Sequence, residues 1–145
     1  MSNFSPKKIL IIDDDEGIHE TLSTALELEG YETVIAKNGQ MAMNLLSTWG
    51  NHELPDLVIL DYWMPVMNGE EFNQKLKATP RFSHIPVVMI SAAGGNLVEV
   101  MKNCDTLGYV AKPMDINTML KITKYFTHSH HLNPHTSYDY NDLEI

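Results

Sequence analysis

The chain has few of the features that secreted and membrane-spanning proteins need. Its single cysteine, Cys104, excludes an internal disulfide and suits a reducing compartment, where it is most simply a small apolar residue on a helix. No apolar run approaches the roughly 18–20 residues that cross a bilayer. The start, Met1–Phe4, has no charged region followed by an apolar one, as a secretory signal would. We therefore expect a cytoplasmic protein with no membrane partner.

Positive charge is also scarce. The chain has 10 Lys and Arg against 19 Asp and Glu, which gives a formal net charge of −9. Nucleic acids attract clustered cations, and those of this chain are scattered, so we expect no nucleic-acid partner. The length of 145 residues suggests one domain, which we predict over 1–127. The remaining 128–145 would be a flexible or loosely docked tail.

Five apolar runs alternate with amphipathic segments along the chain. The predicted strands are 7–12, 31–36, 57–60, 87–90 and 107–111; the predicted helices are 16–29, a segment marked by Met41, Leu45 and Trp49, then 69–79, 95–104 and 115–127. Alternating strands and helices imply parallel pairing, and continuous apolar strands imply a sheet covered on both faces. The sequence therefore predicts a doubly wound α/β fold with helices on both faces.

Polar residues follow four of these strands, at the point where each strand ends. They are Asp13 and Asp14, then Asp61, then Ser91, then Lys112 with Pro113. The carboxyl ends of parallel strands meet at one edge of the sheet, where open α/β folds bind ligands. Three carboxylates, a hydroxyl and an ammonium group would therefore converge. This combination suits a divalent cation and a phosphoryl group.

The run Asp13–Glu16 also has a simpler interpretation as a solvated helix start, because acids there complement the helix dipole. Capping and the dipole explain Asp15 and Glu16, whereas Asp13 and Asp14 would lie beside Asp61. Three close carboxylates repel one another unless a cation intervenes. Hard oxygen ligands favour Mg²⁺, or Mn²⁺ in its place.

Asp61 is the candidate nucleophile, since a carboxylate can form an acyl phosphate. Lys112 and Ser91 would contact the phosphoryl oxygens. Taken singly, Lys112 is a surface lysine before a turn and Ser91 is a strand-end cap. The complete set favours phosphoryl transfer.

Four segments carry a family resemblance: 9–16 (ILIIDDDE), 55–69 (PDLVILDYWMPVMNG), 86–92 and 108–113. Over about 7–127 the chain resembles the receiver domain of bacterial two-component response regulators. The resemblance implies a flavodoxin-like sheet of five parallel strands in the order 2-1-3-4-5. It also implies that Asp61 is the phosphoacceptor. A sensor histidine kinase or histidine phosphotransfer protein would be the donor.

The resemblance implies further site residues. Asp14 and Asp61 would bind Mg²⁺ directly with the backbone carbonyl of Trp63, and Asp13 would complete the acid pair. Ser91 and Tyr109 would form the switch, Lys112 would bind phosphate, and the Lys112–Pro113 peptide bond would be cis. An unidentified downstream protein would bind the face of helix 95–104, the fifth strand and the last helix, which includes Val98, Met101 and Tyr109. Trp63 and Ala93 occupy positions where many receivers have polar residues.

Two other functions use the same residues. A small phosphatase of the haloacid-dehalogenase type also has a strand-end Asp nucleophile, but its motif would need Thr or Val at Gly17, after Asp13 and Asp15. A non-phosphorylated scaffold of receiver fold would not need the acids. We therefore expect a signalling protein whose only catalysis is its own phosphorylation and dephosphorylation. The tail histidines 128, 130, 131 and 135 could hold a metal, although Pro134 interrupts their spacing.

Overall fold

The computed structural model describes residues 6–91, 106, 108–111, 115–128 and 138–139. Its elements are β1 (Lys8–Ile12), α1 (Glu16–Leu28), β2 (Glu32–Ala36), α2 (Gly39–Thr48), β3 (Leu57–Asp61), α3 (Gly69–Ala78), β4 (Val87–Ser91), β5 (Gly108–Ala111), α4 (Ile116–His128) and β6 (Tyr138–Asp139). A short 3₁₀ helix at Asn51–Glu53 precedes β3. The predicted helix 95–104 lies outside the described residues. In the described ranges, no helix is long and apolar enough to cross a membrane.

The strands form one parallel sheet in the order β2-β1-β3-β4-β5-β6. The predicted order 2-1-3-4-5 is therefore confirmed, and a sixth strand that the sequence did not predict extends it. This two-residue strand comes from the segment predicted to be a tail, and it pairs Tyr138 with Gly108 and Asp139 with Tyr109. Because β1 and β3 lie in the interior of the sheet, the residues that follow them meet at its centre.

Helices cover both faces of the sheet, as predicted. On one face α2 and α3 pack against alternate strand residues, including Leu10, Ile12, Val58, Leu60, Val87, Met89 and Tyr109. On the other face α1 and α4 pack against the intervening residues, including Ile9, Ile11, Leu57, Ile59, Val88, Ile90 and Val110. Every residue of β3 and β4 is buried, which explains why these strands read as continuous apolar runs.

Side-chain caps fix where the first three helices begin. Asp15 caps α1 and Asn38 caps α2 through their side-chain oxygens. Asn68 and Glu71 form a reciprocal capping box at the start of α3. After α1, Gly30 takes a φ of +93°, the left-handed conformation predicted for the residue that follows the helix.

Lys8 joins the amino-terminal end of the sheet to the loop before β3. Its backbone N–H donates to Asp56 Oδ2 at 2.8 Å, and its Nζ donates to the Glu53 carbonyl oxygen at 2.6 Å. The same ammonium group lies 4.4 Å from the centre of the Trp49 ring. One lysine thus satisfies polar groups and covers an aromatic ring at this end.

Arg81 adds a second connection at the same end, between the segment before β4 and the loop after α2. Its Nε donates to Asn51 Oδ1 at 2.8 Å, and its Nη2 donates to the Trp49 carbonyl oxygen. The guanidinium also lies 5.1 Å from the centre of the Phe82 ring. Fixed donors of this kind hold two loops in one arrangement.

Candidate functional site

The turn after β1 separates its acidic residues into two roles. Asp15 caps α1, where its Oδ1 accepts hydrogen bonds from the N–H groups of Gly17 at 2.8 Å and Ile18 at 3.3 Å. Asp13 is fully buried, and its Oδ1 accepts from the Asp15 N–H at 2.9 Å. Asp14 is exposed. Asp15 is therefore explained by helix capping, as predicted, whereas Asp13 and Asp14 lie at the sheet edge.

Asp61 is the last residue of β3 and is almost fully buried. Its Oδ1 accepts a hydrogen bond from the Trp63 N–H at 3.3 Å. The next residue, Tyr62, continues the pairing with β4 through an N–H bond of 2.9 Å to the Ile90 carbonyl. The phosphoacceptor candidate therefore sits on a rigid central strand.

Gly69 brings the start of α3 against the backbone of Asp61. A Cβ at position 69 would lie 2.7 Å from the Asp61 carbonyl oxygen and 2.8 Å from the Tyr62 Cα. The Gly69 N–H donates to the Tyr62 carbonyl at 2.8 Å. Only glycine permits this approach, so Gly69 helps to position Asp61. Gly69 belongs to the segment 55–69 that carries the family resemblance, but the sequence did not reveal its contact with the backbone of Asp61 and Tyr62.

The structure brings Asp13, Asp14 and Asp61 together, as predicted. One carboxylate oxygen from each lies within 4.8 Å of the other two. Two of the three residues are buried, where charges of one sign repel strongly. Three converging carboxylate oxygens suit a hard divalent cation such as Mg²⁺, which needs one or two carboxylates and keeps several waters. The residues present therefore fit the predicted metal.

Ser91 ends β4, beside the strand that ends in Asp61. It is fully buried, and its Oγ has no hydrogen-bond partner in the described part of the protein. A buried hydroxyl without a partner costs free energy, and a phosphoryl oxygen at the sheet edge would be a suitable acceptor for it. Both interpretations of Ser91, as a strand-end cap and as a phosphoryl ligand, stay predictions, because the residues that follow it lie outside the described ranges.

Tyr109 lies on β5, where its ring is buried in the same core as Met89. Its role as a switch residue stays a prediction. Lys112 and Pro113 directly follow β5, but they lie outside the described residues, as do Ala93, Val98 and Met101.

The loop after Asp61 contains a strained turn that the sequence did not predict. Val66 has a φ of +72°, and the Met67 N–H donates to the Pro65 carbonyl at 2.7 Å, which defines a γ-turn of positive φ. A β-branched residue seldom adopts this conformation, which usually belongs to Gly or Asn. No compositional signal could have located the turn, because valine is typical of strands.

The same loop exposes apolar side chains next to the acidic cluster. Trp63 is 59% exposed and Val66 is 84% exposed. The Trp63 ring contacts the Tyr62 ring edge-on, with centroids 5.0 Å apart and planes at 88°. Trp63 is thus at the rim of the site, where its backbone was predicted to contribute a metal ligand.

Comparison with known proteins gives a consistent result. Residues 9–124 match the family model of the response regulator receiver domain. The chain is similar to the sporulation initiation phosphotransferase F of Bacillus subtilis, with 34% identity over 83% of this chain and 93% of the relative. It is also similar to the probable transcriptional regulator ycf27 of Guillardia theta, with 32% identity over 96% of this chain but only 55% of the relative. Among solved structures, the signal receiver domain of a histidine kinase from Syntrophus aciditrophicus matches with a TM-score of 0.75 and 27% identity, over 88% of this chain and 97% of that domain.

Proposed function

Because this chain belongs to the response regulator receiver domain family, we propose that it is a signalling switch in which Asp61 accepts a phosphoryl group. The donor is the phosphohistidine of a sensor histidine kinase or of a histidine phosphotransfer protein. The observation that carries the proposal is the meeting of three carboxylates beside a buried hydroxyl with no hydrogen-bond partner in the described residues. A cation would suit the carboxylates, and a phosphoryl oxygen would accept a hydrogen bond from the Ser91 hydroxyl.

In the transfer step, an oxygen of the Asp61 carboxylate forms a bond to phosphorus. The bond between phosphorus and the donor's imidazole nitrogen breaks, and its electron pair stays on that nitrogen. The product is an acyl phosphate on Asp61. The rigid position of Asp61 on a central strand lowers the entropic cost of aligning it with the donor.

Other residues of this chain stabilise the transferred group. Asp13, Asp14 and Asp61 would hold Mg²⁺, with the Trp63 carbonyl as a further ligand, and the ion would neutralise negative charge on the phosphoryl oxygens. The Ser91 hydroxyl would donate to one phosphoryl oxygen. Lys112, the residue after β5, would supply a positive charge to another.

The signal would pass from Ser91 towards Tyr109. Ser91 ends β4 and pairs with Ala111 on the neighbouring strand β5, and Tyr109 lies two residues before Ala111, where it pairs with Met89. A shift of Ser91 towards the phosphoryl group would change the packing beside the Tyr109 ring. The downstream protein would read this change on the face that includes β5, α4 and the segment 95–104. The proposed signalling takes place in the cytoplasm.

One observation counts against the phosphatase alternative. The second acid of the phosphatase motif would be Asp15, and this side chain caps α1. A scaffold that is never phosphorylated would have no use for three carboxylates that meet at the end of a central strand. We therefore propose neither alternative.

Intact-protein mass spectrometry tests the proposal. Incubation with acetyl phosphate and Mg²⁺ should add one phosphoryl group to the protein, and chelation of the metal should prevent the addition. The Asp61→Asn variant should gain no label, because an amide cannot form the acyl phosphate. The matched control is Asp15→Asn, which removes a carboxylate outside the cluster and keeps a side chain that caps helices well. Labelling of Asp61→Asn to the wild-type level would refute the assignment.

A further inference from the structure

A concave surface separate from the acidic cluster lies at the opposite, amino-terminal end of the sheet. It is a cleft of about 570 Å³ between the end of α1, the start of β2 and one side of α4. Lys7, Tyr31, Leu120, Lys121, Lys124 and His128 contribute to its walls. Its volume is in the range of small-molecule sites, roughly 300–1,000 Å³.

The charge of the cleft is opposite to that of the protein. Three lysines and a histidine line it, and the only carboxylate among its lining residues is Glu29, although the whole chain has a net charge of −9. None of the three ammonium groups has an ion-pair partner in the described ranges. Unpaired cations that share one cavity create a local positive potential, which attracts anions.

Helix dipoles do not explain this set of cations. His128 is the only basic residue in the last turn of α4, and α1 has none in its last turn. Lys121 and Lys124 lie further from the end of α4, and a spacing of three residues places them as neighbours on one side of the helix. Two neighbouring lysines repel each other, so the helix alone gains nothing from the pair.

The cleft also has an apolar wall, formed by the partly buried side chains of Tyr31 and Leu120. The Tyr31 hydroxyl lies 3.2 Å from Thr127 Oγ1, and this hydrogen bond fixes the start of β2 against α4. The wall is therefore held in place before any ligand binds. A positive rim beside a fixed apolar wall suits a ligand that has both a negative group and an organic body.

We propose that this cleft binds a phosphate-bearing small molecule. The phosphate would contact the ammonium groups of Lys121 and Lys124, and Lys7 would add its charge from the strand side. The organic body would lie against Tyr31 and Leu120. The cleft shares no residue with the acidic cluster, so the inference does not depend on phosphorylation of Asp61.

The test is an NMR titration of the full chain with ATP and, separately, with inorganic pyrophosphate. EDTA removes divalent cations, so that the acidic cluster repels both probes, and sodium chloride keeps the ionic strength constant. We expect saturable shifts of the backbone amides at 29–31 and 120–128. ATP should bind more tightly than pyrophosphate because only ATP has an organic body. Equal affinities for the two probes would overturn the role of the apolar wall.

Three variants that each remove one positive charge sharpen the test. Lys121→Gln and Lys124→Gln should each weaken ATP binding by about tenfold. Lys75→Gln removes an exposed lysine on α3, on the opposite face of the sheet, and should leave the affinity unchanged. Equal weakening in all three variants, or shifts that never saturate, would overturn the proposal in favour of diffuse attraction to surface lysines.

Discussion

Two regions at opposite ends of the sheet, the Lys8 and Arg81 contacts and the acidic cluster, handle polar groups in opposite ways. At the amino-terminal end, the charged groups of Lys8 and Arg81 donate to carbonyl and amide oxygens of neighbouring loops. At the carboxyl-terminal end, three carboxylates lie close together, and the buried Ser91 hydroxyl has no partner in the described residues. The contacts of Lys8 and Arg81 thus serve stability, whereas the acidic cluster brings together like charges in an arrangement that suits a cation.

The variant with the largest expected effect is Gly69→Ala, at the carboxyl-terminal end of the sheet. The added Cβ would overlap the Asp61 carbonyl and the Tyr62 Cα, so α3 or the end of β3 must shift. We expect the free energy of unfolding to fall by about 1–3 kcal/mol, the usual range for overpacking, and towards its upper end because the overlap is with backbone atoms. Phosphorylation should slow markedly because Asp61 moves. Urea denaturation and the rate of labelling measure the two effects.

The control for this variant is Gly30→Ala. Gly30 has a φ of +93° but no atom within 4 Å of a built Cβ, and it is remote from the site. Its substitution should cost about 1 kcal/mol of stability through backbone strain alone. Labelling of Asp61 should be unchanged. A normal labelling rate in Gly69→Ala would show that the close approach does not position Asp61.

Asp14→Asn should weaken Mg²⁺ binding by about tenfold, which corresponds to about 1.4 kcal/mol. The variant keeps the size of the side chain but removes one of the three clustered charges. The fluorescence of the exposed Trp63, which is adjacent to the site, provides the measurement. Unchanged affinity would exclude Asp14 as a direct ligand. In EDTA the variant should be at least as stable as the wild type, because one repulsive charge is gone.

Arg81→Ala tests the other end of the sheet. It removes the donors to Asn51 and to the Trp49 carbonyl, and we expect a loss of about 1 kcal/mol in the free energy of unfolding. Labelling of Asp61 should remain normal in folded protein. Lys75→Ala, which removes an exposed cation on α3, is the matched control and should have little effect. A labelling defect in Arg81→Ala would break the proposed division between the two ends.

The smallest expected effect is a gain in stability from Val66→Gly. Glycine adopts a φ of +72° without strain, whereas the greater freedom of glycine in the unfolded chain offsets part of the gain. We expect a net increase of about 0.5 kcal/mol in the free energy of unfolding. Val66→Ala keeps the Cβ and should change stability less. A lower urea midpoint for Val66→Gly would show that the γ-turn is not strained.

Much of this fold was predictable because its signals are local and consistent. The third predicted helix, 69–79, is observed at Gly69–Ala78, and the last, 115–127, is observed at Ile116–His128. Strand–helix alternation and the position of each strand end also predicted that Asp13, Asp14 and Asp61 would meet. These features depend on the periodicity of apolar residues and on the order of strands and helices along the chain, and a single sequence contains both.

Other features depend on tertiary contacts that no local pattern encodes. The γ-turn at Val66 places a strand-favouring residue at positive φ. The importance of Gly69 lies in the backbone it contacts, which is eight residues earlier in the chain. The strand Tyr138–Asp139 has two residues, too few for alternation to reveal. The fourth predicted helix and Lys112 lie outside the described residues and stay predictions.

The sixth strand has a consequence for how copies of this protein meet. Without β6, β5 would be the border of the sheet, and its free N–H and C=O groups would offer a template for a strand from another molecule. The pairing of Tyr138 with Gly108 and of Asp139 with Tyr109 occupies the first half of that template from within the same chain. Because parallel pairing requires a crossover, here one that includes α4, the covering strand comes from the segment beyond that helix. A chain that ended at His128 would therefore leave the border beside Tyr109 open to association.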